Sequence, residues 1–305
     1  MKNLLLSVFA LSALLMSCGD DDDSGPSTKS LTLAISGLEN LGTDFVYEGW
    51  VIVDGAAVST GTFTVDDEGA WSASTFDVDV ATLDAATKFV LTIEPAMDSD
   101  PTPSDQKLLA GDFSGDMATV STATMPAVGD FSSAAGIFFL RTPTDEMSGT
   151  ANNGNDMNGI WFGTPGTMPP TAGLTLPTLP AGWVYEGWVV GDAGPISTGT
   201  FTAFDVADGG NPLSGTENNA GPPIPGEDFL MNAPSGYTFP LDVRGTTVVI
   251  SIEPSPDNSP NPFLLKPLVT MLASDALTVG EGTTAPNSHA LALNLGSFPT
   301  GTVSR

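Results

Sequence analysis

The stretch FVYEGWVIVDGAAVSTGTFTV, residues 45–65, recurs in closely similar form as WVYEGWVVGDAGPISTGTFTAF, residues 183–204. Two identical blocks, YEGWV and STGTFT, keep the same spacing in both places, since they begin at Tyr47 and Ser59 and again at Tyr185 and Ser197. Both blocks are rich in valine, threonine and aromatic residues, which strands favour. Asp54-Gly55 between the first two blocks is a hairpin signal, because glycine accepts the positive φ of a tight turn. The pattern predicts a β-hairpin that the chain contains twice.

A third repeated block follows each hairpin. Thr92-Ile93-Glu94-Pro95 matches Ser251-Ile252-Glu253-Pro254 at a larger offset, so the second copy carries an insertion, which we place within residues 208–237. Proline donates no ladder hydrogen bond, so the strand should end at the glutamate and enter a loop. Duplication of one domain is the simplest account. We predict a first domain at residues 31–125 and a second at residues 126–305.

The remaining sequence favours the same fold class. Short runs rich in β-branched residues alternate with turns, and no convincing amphipathic helix is present outside the N-terminal segment. We therefore predict an all-β protein built of two tandem antiparallel β-sandwiches of the immunoglobulin-like or Greek-key type. The further strands predicted are 31–35, 118–122, 137–141, 159–162, 174–176, 264–271 and 289–295.

The N-terminal segment predicts export. Lys2 precedes an apolar run from Leu4 to Ser17 that is too short to span a bilayer, as in a secretory signal. Leu15-Met16-Ser17-Cys18 resembles the bacterial lipobox, which implies cleavage before Cys18, lipidation of its thiol and addition of a fatty chain such as palmitate. Residues 1–17 would then be a lipoprotein signal peptide. The alternative is an ordinary secreted protein with a chance cysteine.

Residues 18–30 form an acidic tether, because a run of four aspartates repels itself and buries nothing. Acidic runs here resemble signals that send some lipoproteins to the outer membrane and the cell surface, although a plain solubilising linker would have the same composition. The membrane, reached through the lipid anchor, is the first expected partner. The formal net charge of −28, from 36 acidic and 8 basic residues, excludes nucleic acid as a partner because both carry negative charge.

Few residues offer chemistry. His289 is the sole histidine and Cys18 the sole cysteine, so no conventional zinc or copper site is expected, and no cofactor is predicted. Oxygen-rich loops at 98–100 and 152–156 leave calcium open. The repeated residues, which we interpret as structural and not as catalytic, are Tyr47, Glu48, Trp50, Glu94, Pro95, Tyr185, Glu186, Trp188, Glu253 and Pro254.

The repeated glutamates allow two interpretations. A pair of carboxylates could cleave a glycoside, which would make the protein a carbohydrate-active enzyme on a β-sandwich. Alternatively, a glutamate at a strand end accepts hydrogen bonds from the backbone N–H groups of the following loop. We favour the second interpretation and predict no enzymatic activity.

The order Tyr-Glu-x-Trp, hairpin, Ser-x-Gly-x-Phe and a strand ending Thr-Ile-Glu-Pro resembles the C-terminal, extracytoplasmic domain of the anti-sigma-K factor family, in both copies. The resemblance implies an exported module that serves binding, sensing or envelope structure, with an unknown envelope protein or glycan as partner. In that family, sigma-factor binding belongs to a separate cytoplasmic domain, and we expect no counterpart of that domain in this chain. The chain could also be an accessory subunit of an envelope signalling complex that contacts its partner through residues 222–229.

Overall fold

The computed structural model describes residues 27–146, 154–167, 169–209, 212–215, 221–256, 259–281 and 286–305. The predicted signal peptide, Cys18 and most of the acidic tether lie outside the described residues, as do Asn152 and Asn153 of one oxygen-rich loop. Within the described part of the chain, no helix is long and apolar enough to cross a membrane.

The predicted all-β class is confirmed. The strands of residues 28–120 are β1 (Thr28–Ser36), β2 (Phe45–Val53), β3 (Ala56–Phe63), β4 (Thr75–Asp79), β5 (Lys88–Pro95), β6 (Lys107–Ser114) and β7 (Met117–Val120). The strands of residues 135–304 are β8 (Ala135–Leu140), β9 (Gly159–Trp161), β10 (Gly163–Thr164), β11 (Thr171–Ala172), β12 (Leu174–Thr175), β13 (Trp183–Gly191), β14 (Gly194–Phe201), β15 (Gly226–Asp228), β16 (Thr247–Pro254), β17 (Leu268–Met271), β18 (His289–Leu293) and β19 (Thr300–Ser304).

Two large antiparallel sheets contain almost all of these strands. The first sheet has the order β3-β2-β5-β6-β7-β19-β1-β4. The second has the order β14-β13-β16-β17-β18-β8-β9-β15, with β12 added beside β8, and β10 and β11 form a small separate pair. One buried apolar cluster draws on both sheets, since it joins Leu31, Phe89 and Leu109 to Tyr185 and Ile250.

The two hairpins form as the sequence predicts. Asp54 has a φ of 52° and Gly55 a φ of 82°, and a type I′ turn requires positive φ at both of its central residues. Val53 lies opposite Ala56 across this turn. The strand register of each hairpin also shifts by one residue inside the YEGWV block, between Gly49 and Trp50 in the first hairpin and between Gly187 and Trp188 in the second.

The described residues include one short α-helix, which the sequence analysis did not predict. α1 (Val80–Ala85) is a short α-helix, and Pro143–Asp145 and Asp156–Asn158 are single 3₁₀ turns. The Asp79 side chain caps α1 by accepting a hydrogen bond from the N–H of Thr82 at 2.9 Å, which offsets the poor helix propensity of its β-branched residues.

Strand β19 lies in the first sheet although it comes last in the sequence. It pairs with β1 on one side and with β7 on the other. The division predicted at residue 126 did not include this pairing. Strands β4, β6, β10, β11, β15 and β19 were also not predicted.

Candidate functional site

The first copy fastens its proline-rich loop through a chain of hydrogen bonds. The indole N–H of Trp50 donates to Thr92 Oγ1 at 2.9 Å, and that hydroxyl donates to Glu94 Oε1 at 2.5 Å. The backbone N–H of Ser104, at the far end of the loop, donates to the same carboxylate oxygen at 2.8 Å. Glu94 is 1% exposed. The carboxylate therefore ties the end of β5 to the residue where the loop returns.

The second copy repeats this arrangement position by position. Trp188 donates to Ser251 Oγ at 2.7 Å, and Ser251 donates to Glu253 Oε1. The N–H of Phe263 donates to the two oxygens of Glu253 at 2.9 and 3.1 Å. Phe263 stands as far along the chain from Glu253 as Ser104 does from Glu94. These are the loop N–H bonds that the structural interpretation of the glutamates requires.

The first glutamate of each motif is held by a serine on the neighbouring strand. Ser59 donates to Glu48, and Ser197 donates to Glu186. Partial burial raises the pKa of Glu48 above its usual value, and the negative charge of Glu94 raises it further.

The motif tyrosines close the other face of each hairpin. Tyr47 is fully buried, and its hydroxyl donates to Glu39 O at 2.9 Å. Tyr185 is buried in the same way, and its hydroxyl donates to Pro177 O at 2.7 Å. Burial raises the pKa of each phenol, so both remain hydrogen-bond donors at neutral pH.

The two Glu-Pro turns meet at one cavity of about 410 Å³, which we call the crevice. Pro95 lies on one side and Pro254 on the other. Its other lining residues combine apolar and polar side chains and come from both halves of the chain: Glu39, Asn40, Leu41, Phe45, Ile93, Ser104, Gln106, Glu253, Pro256, Ser259 and Phe263. A hydrogen bond of 2.6 Å from Gln106 Nε2 to Ser255 O joins the two sides.

The charged residues that line the crevice are Glu39 and Glu253, and Lys266 interacts electrostatically with both. Burial raises the pKa of the Glu39 carboxyl, while the positive charge of Lys266 and the N–H of Leu264 act against that rise. Burial lowers the pKa of Lys266, while the negative charges of Glu39 and Glu253 oppose this decrease. A cavity in which apolar side chains adjoin polar groups of both donor and acceptor type is a candidate binding site.

A second group of buried acids was not found by the sequence analysis. Glu227 and Asp228 on β15 are both 0% exposed. Burial raises the pKa of Glu227 to about 8 and that of Asp228 to about 7. Asp228 accepts hydrogen bonds from Trp161 Nε1 and the N–H of Thr144, both at 2.8 Å. The signal in the sequence was an adjacent Glu-Asp pair between apolar residues.

The burial of these acids bears on the expectation that residues 222–229 contact a partner protein. Within residues 222–229, only Pro223 is exposed, so little of this segment is available to a partner. A groove of about 420 Å³ lies beside it and is lined largely by prolines, together with Arg141 and Glu146. Arg141 donates to Glu146 from Nε at 2.7 Å and from Nη2 at 2.6 Å.

His289 begins β18, and its Nε2 lies 3.0 Å from Leu277 O. Its ring lies 5.4 Å from that of Phe138, so its contacts are those of a structural residue. In the described ranges, no three His, Cys, Asp or Glu side chains are arranged to hold a metal ion.

The hairpin, the Glu-Pro strand end and the fastened loop lie together in one segment of the chain. Residues 24–107 match the family described as "Anti-sigma-K factor rskA, C-terminal". The resemblance to the C-terminal domain of this family is thereby confirmed over the three motif blocks of the first copy. The matched segment ends at Lys107, the first residue of β6, and does not include the second copy. No curated protein and no solved structure matches the chain.

Proposed function

We propose that this chain is an exported, lipid-anchored protein of the bacterial outer membrane, possessing two anti-sigma-K factor C-terminal-like units and serving in binding or sensing without catalysis. The observation that carries the proposal is the family match at residues 24–107, which begins directly after Cys18 and its acidic segment. A fatty-acylated cysteine followed by a solvated tether would hold such a unit close to a membrane surface.

The second unit is supported by its internal geometry. Its Trp-Ser-Glu hydrogen-bond chain has the same order as the Trp-Thr-Glu chain of the first unit, and both glutamates receive a loop N–H from the same repeat position. Duplication would produce such agreement between two segments of one chain. The crevice between the Glu-Pro turns is the binding site we propose, with an envelope protein or a glycan as ligand.

Anchoring is tested in cells by incorporation of a labelled fatty acid into the wild-type protein and into Cys18→Ala. We expect label in the wild type, none in the variant, and digestion of the wild type when intact cells are treated with protease. An unlabelled wild-type protein would refute the anchor. Labelled protein that resists protease on intact cells but not on opened cells would place it on the inner face of the outer membrane.

The alternative of a carbohydrate-active enzyme is kept because Glu94 Oε2 is buried and has no hydrogen-bond partner among the described residues. The double variant Glu94→Gln/Glu253→Gln, assayed on a panel of glycans beside the exposed control Glu68→Gln, separates the two functions. We expect no turnover from any of the three proteins. Turnover that disappears only in the double variant, with the fold intact by circular dichroism, would establish the enzyme.

A role as accessory subunit of an envelope signalling complex is tested at Pro223, the exposed residue of the 222–229 segment. Crosslinking from this position should capture no specific envelope protein if the crevice is the binding site. A reproducible partner captured there, and not from the exposed control position Met97, would favour the signalling complex.

A further inference from the structure

The two large sheets agree in register as well as in strand order. Leu91 on β5 lies opposite Leu109 on β6, and Ile250 on β16 lies opposite Leu268 on β17. Each residue of the second pair follows its counterpart by the same offset that separates Glu94 from Glu253. The agreement allows each strand of one sheet to be matched with a strand of the other.

The register also shows which strand of the second sheet corresponds to β7. Ala110 lies opposite Ser121, and its counterpart Val269 lies opposite Ala292. Ser121 and Ala292 are therefore equivalent. It follows that β7 and β18 are equivalent strands, and that Val120 corresponds to Leu291.

β7 lies between β6 and β19, and β18 lies between β17 and β8. Because β6 and β17 are equivalent, β19 and β8 must occupy equivalent places in the two sheets. Gly301 of β19 lies opposite Val120, and Gly136 of β8 lies opposite Leu291. A glycine thus occupies the same position in both sheets. Neither has room for a side chain, since an added Cβ would lie 2.2 Å from Ala34 O at Gly301 and 2.8 Å from Leu291 Cδ1 at Gly136.

The chain order of these strands is crossed. β8 follows β7 in the sequence but pairs with β18, and β19 follows β18 but pairs with β7. We infer that the two repeated units have exchanged their last strands, so that each sheet is completed by the strand belonging to the other unit. This inference rests on the duplication proposed above, and it assigns β8 to the end of the first repeat, beyond the boundary predicted at residue 126.

The two crossing connections touch each other. Each contains Gly-x-Phe, as Gly129-Asp130-Phe131 before β8 and as Gly296-Ser297-Phe298 before β19. The rings of Phe131 and Phe298 pack edge to face with centroids 5.6 Å apart, a favourable geometry for two aromatic rings. Two equivalent aromatic side chains in contact are expected where two equivalent connections cross.

The exchanged strand β19 is also fastened at its end. The Arg305 guanidinium donates to Ala86 O at 2.6 Å and to Leu83 O, which lie at the end of α1. It also lies 4.3 Å from the centre of the Phe113 ring, within the range of a cation–π contact. The first sheet therefore holds β19 by backbone pairing on both edges and by its terminal side chain.

The exchange of β8 and β19 makes each unit depend on a strand from outside itself. A first unit that lacks β19 would leave a strand-wide gap between β1 and β7, with unpaired N–H and C=O groups on both edges. The strand that fits this gap is β8 of the same unit or β19 of a second copy of the chain. Exchanged last strands are thus the surface through which the two units of one chain recognise each other.

Engineered disulfides at four positions test the pairing in the full-length chain carrying Cys18→Ser, which leaves the introduced pair as the only thiols. Thr302 lies opposite Thr119, and Ile137 lies opposite Ala290. Two double-cysteine variants, T119C/T302C and I137C/A290C, join exchanged strands. The other two combinations, T119C/I137C and A290C/T302C, join strands in the unexchanged order and use the same four substitutions.

We expect both exchanged pairs to lose their two free thiols on mild oxidation and to run as monomers on a non-reducing gel, because strand neighbours lie within disulfide reach. Both unexchanged pairs should keep two free thiols. Bridges in the unexchanged pairs, bridges that form only between two chains, or no bridge in either exchanged pair would each overturn the inference. Fatty-acid labelling measures the anchor independently, so either proposal can fail while the other stands.

Discussion

Removing two methyl groups from β19 should destabilise the first sheet, not the second. Val303 is 0% exposed and lies opposite Leu33 and Ala118. Val303→Ala removes carbon worth about 1.6 kcal/mol at about 0.8 kcal/mol per buried methylene, and the remaining cavity brings the loss in unfolding free energy to roughly 2–3 kcal/mol. For a chain of 305 residues, that is a fall in Tm of about 3–5 °C.

The matched control is Thr302→Ala, one residue away on the opposite face and half-buried. It should change the unfolding free energy by less than about 0.5 kcal/mol. Chemical denaturation measures both variants, and hydrogen exchange with mass spectrometry locates the effect. Exchange should accelerate in β1 and β7, the neighbours of β19.

The reasoning would be refuted if protection fell in β8 and β18 while β1 and β7 kept theirs. An equal cost for Val303→Ala and Thr302→Ala would also refute it, because the burial of Val303 in the first sheet is what sets the magnitude.

Three further predictions concern the buried acids and the hairpin. Glu253→Gln should lower the unfolding free energy by about 1–3 kcal/mol, because an uncharged amide accepts more weakly than a carboxylate and places an NH₂ group where Glu253 Oε2 accepts from the N–H of Phe263. Glu68→Gln on the surface should be neutral by urea titration. Burial raises the pKa of Glu227 from 4.5 to about 8. Between these two pH values the folded state binds more protons than the unfolded state, so the unfolding free energy should fall as the pH rises from 4.5 to about 8. The expected loss is about 1.4 kcal/mol for each unit of pKa difference. In Glu227→Gln the slope of stability against pH should be smaller, and an unchanged slope would contradict the assignment. Gly187→Ala should cost about 1–3 kcal/mol, because its Cβ would lie 2.3 Å from Thr198 Oγ1. Thermal melting of Gly296→Ala, whose added Cβ has nothing within 4 Å, should match the wild type.

Local chemistry made the hairpins and the Glu-Pro strand ends predictable. Asp-Gly fits the positive φ of its turn, and proline after Glu94 stops the ladder, so these features depend on residues that are adjacent in the sequence. The loop N–H bonds to Glu94 and Glu253 follow from the same reasoning, because a buried carboxylate with few basic residues nearby needs other donors.

Pairing between distant strands was not predictable in this way. Strand β19 reads Thr-Gly-Thr-Val-Ser and has a single large apolar residue, so its own sequence contains little evidence that it is a strand and none about its partners. Helix α1 was missed because Val80 and Thr82 disfavour helix, and its start depends on the Asp79 cap. Burial of Glu227 and Asp228 was missed because acidic residues normally indicate surface.

Strand β1 begins at Thr28, a short distance after Cys18, and lies between β4 and β19. A chain cut short before residue 300 would therefore lack β19 and would leave one edge of β1 and one edge of β7 unpaired. Such a product would offer proteases and chaperones two extended backbone edges that β19 covers in the full-length chain. In this topology, the first sheet can close only after residues 300–304 have been synthesised.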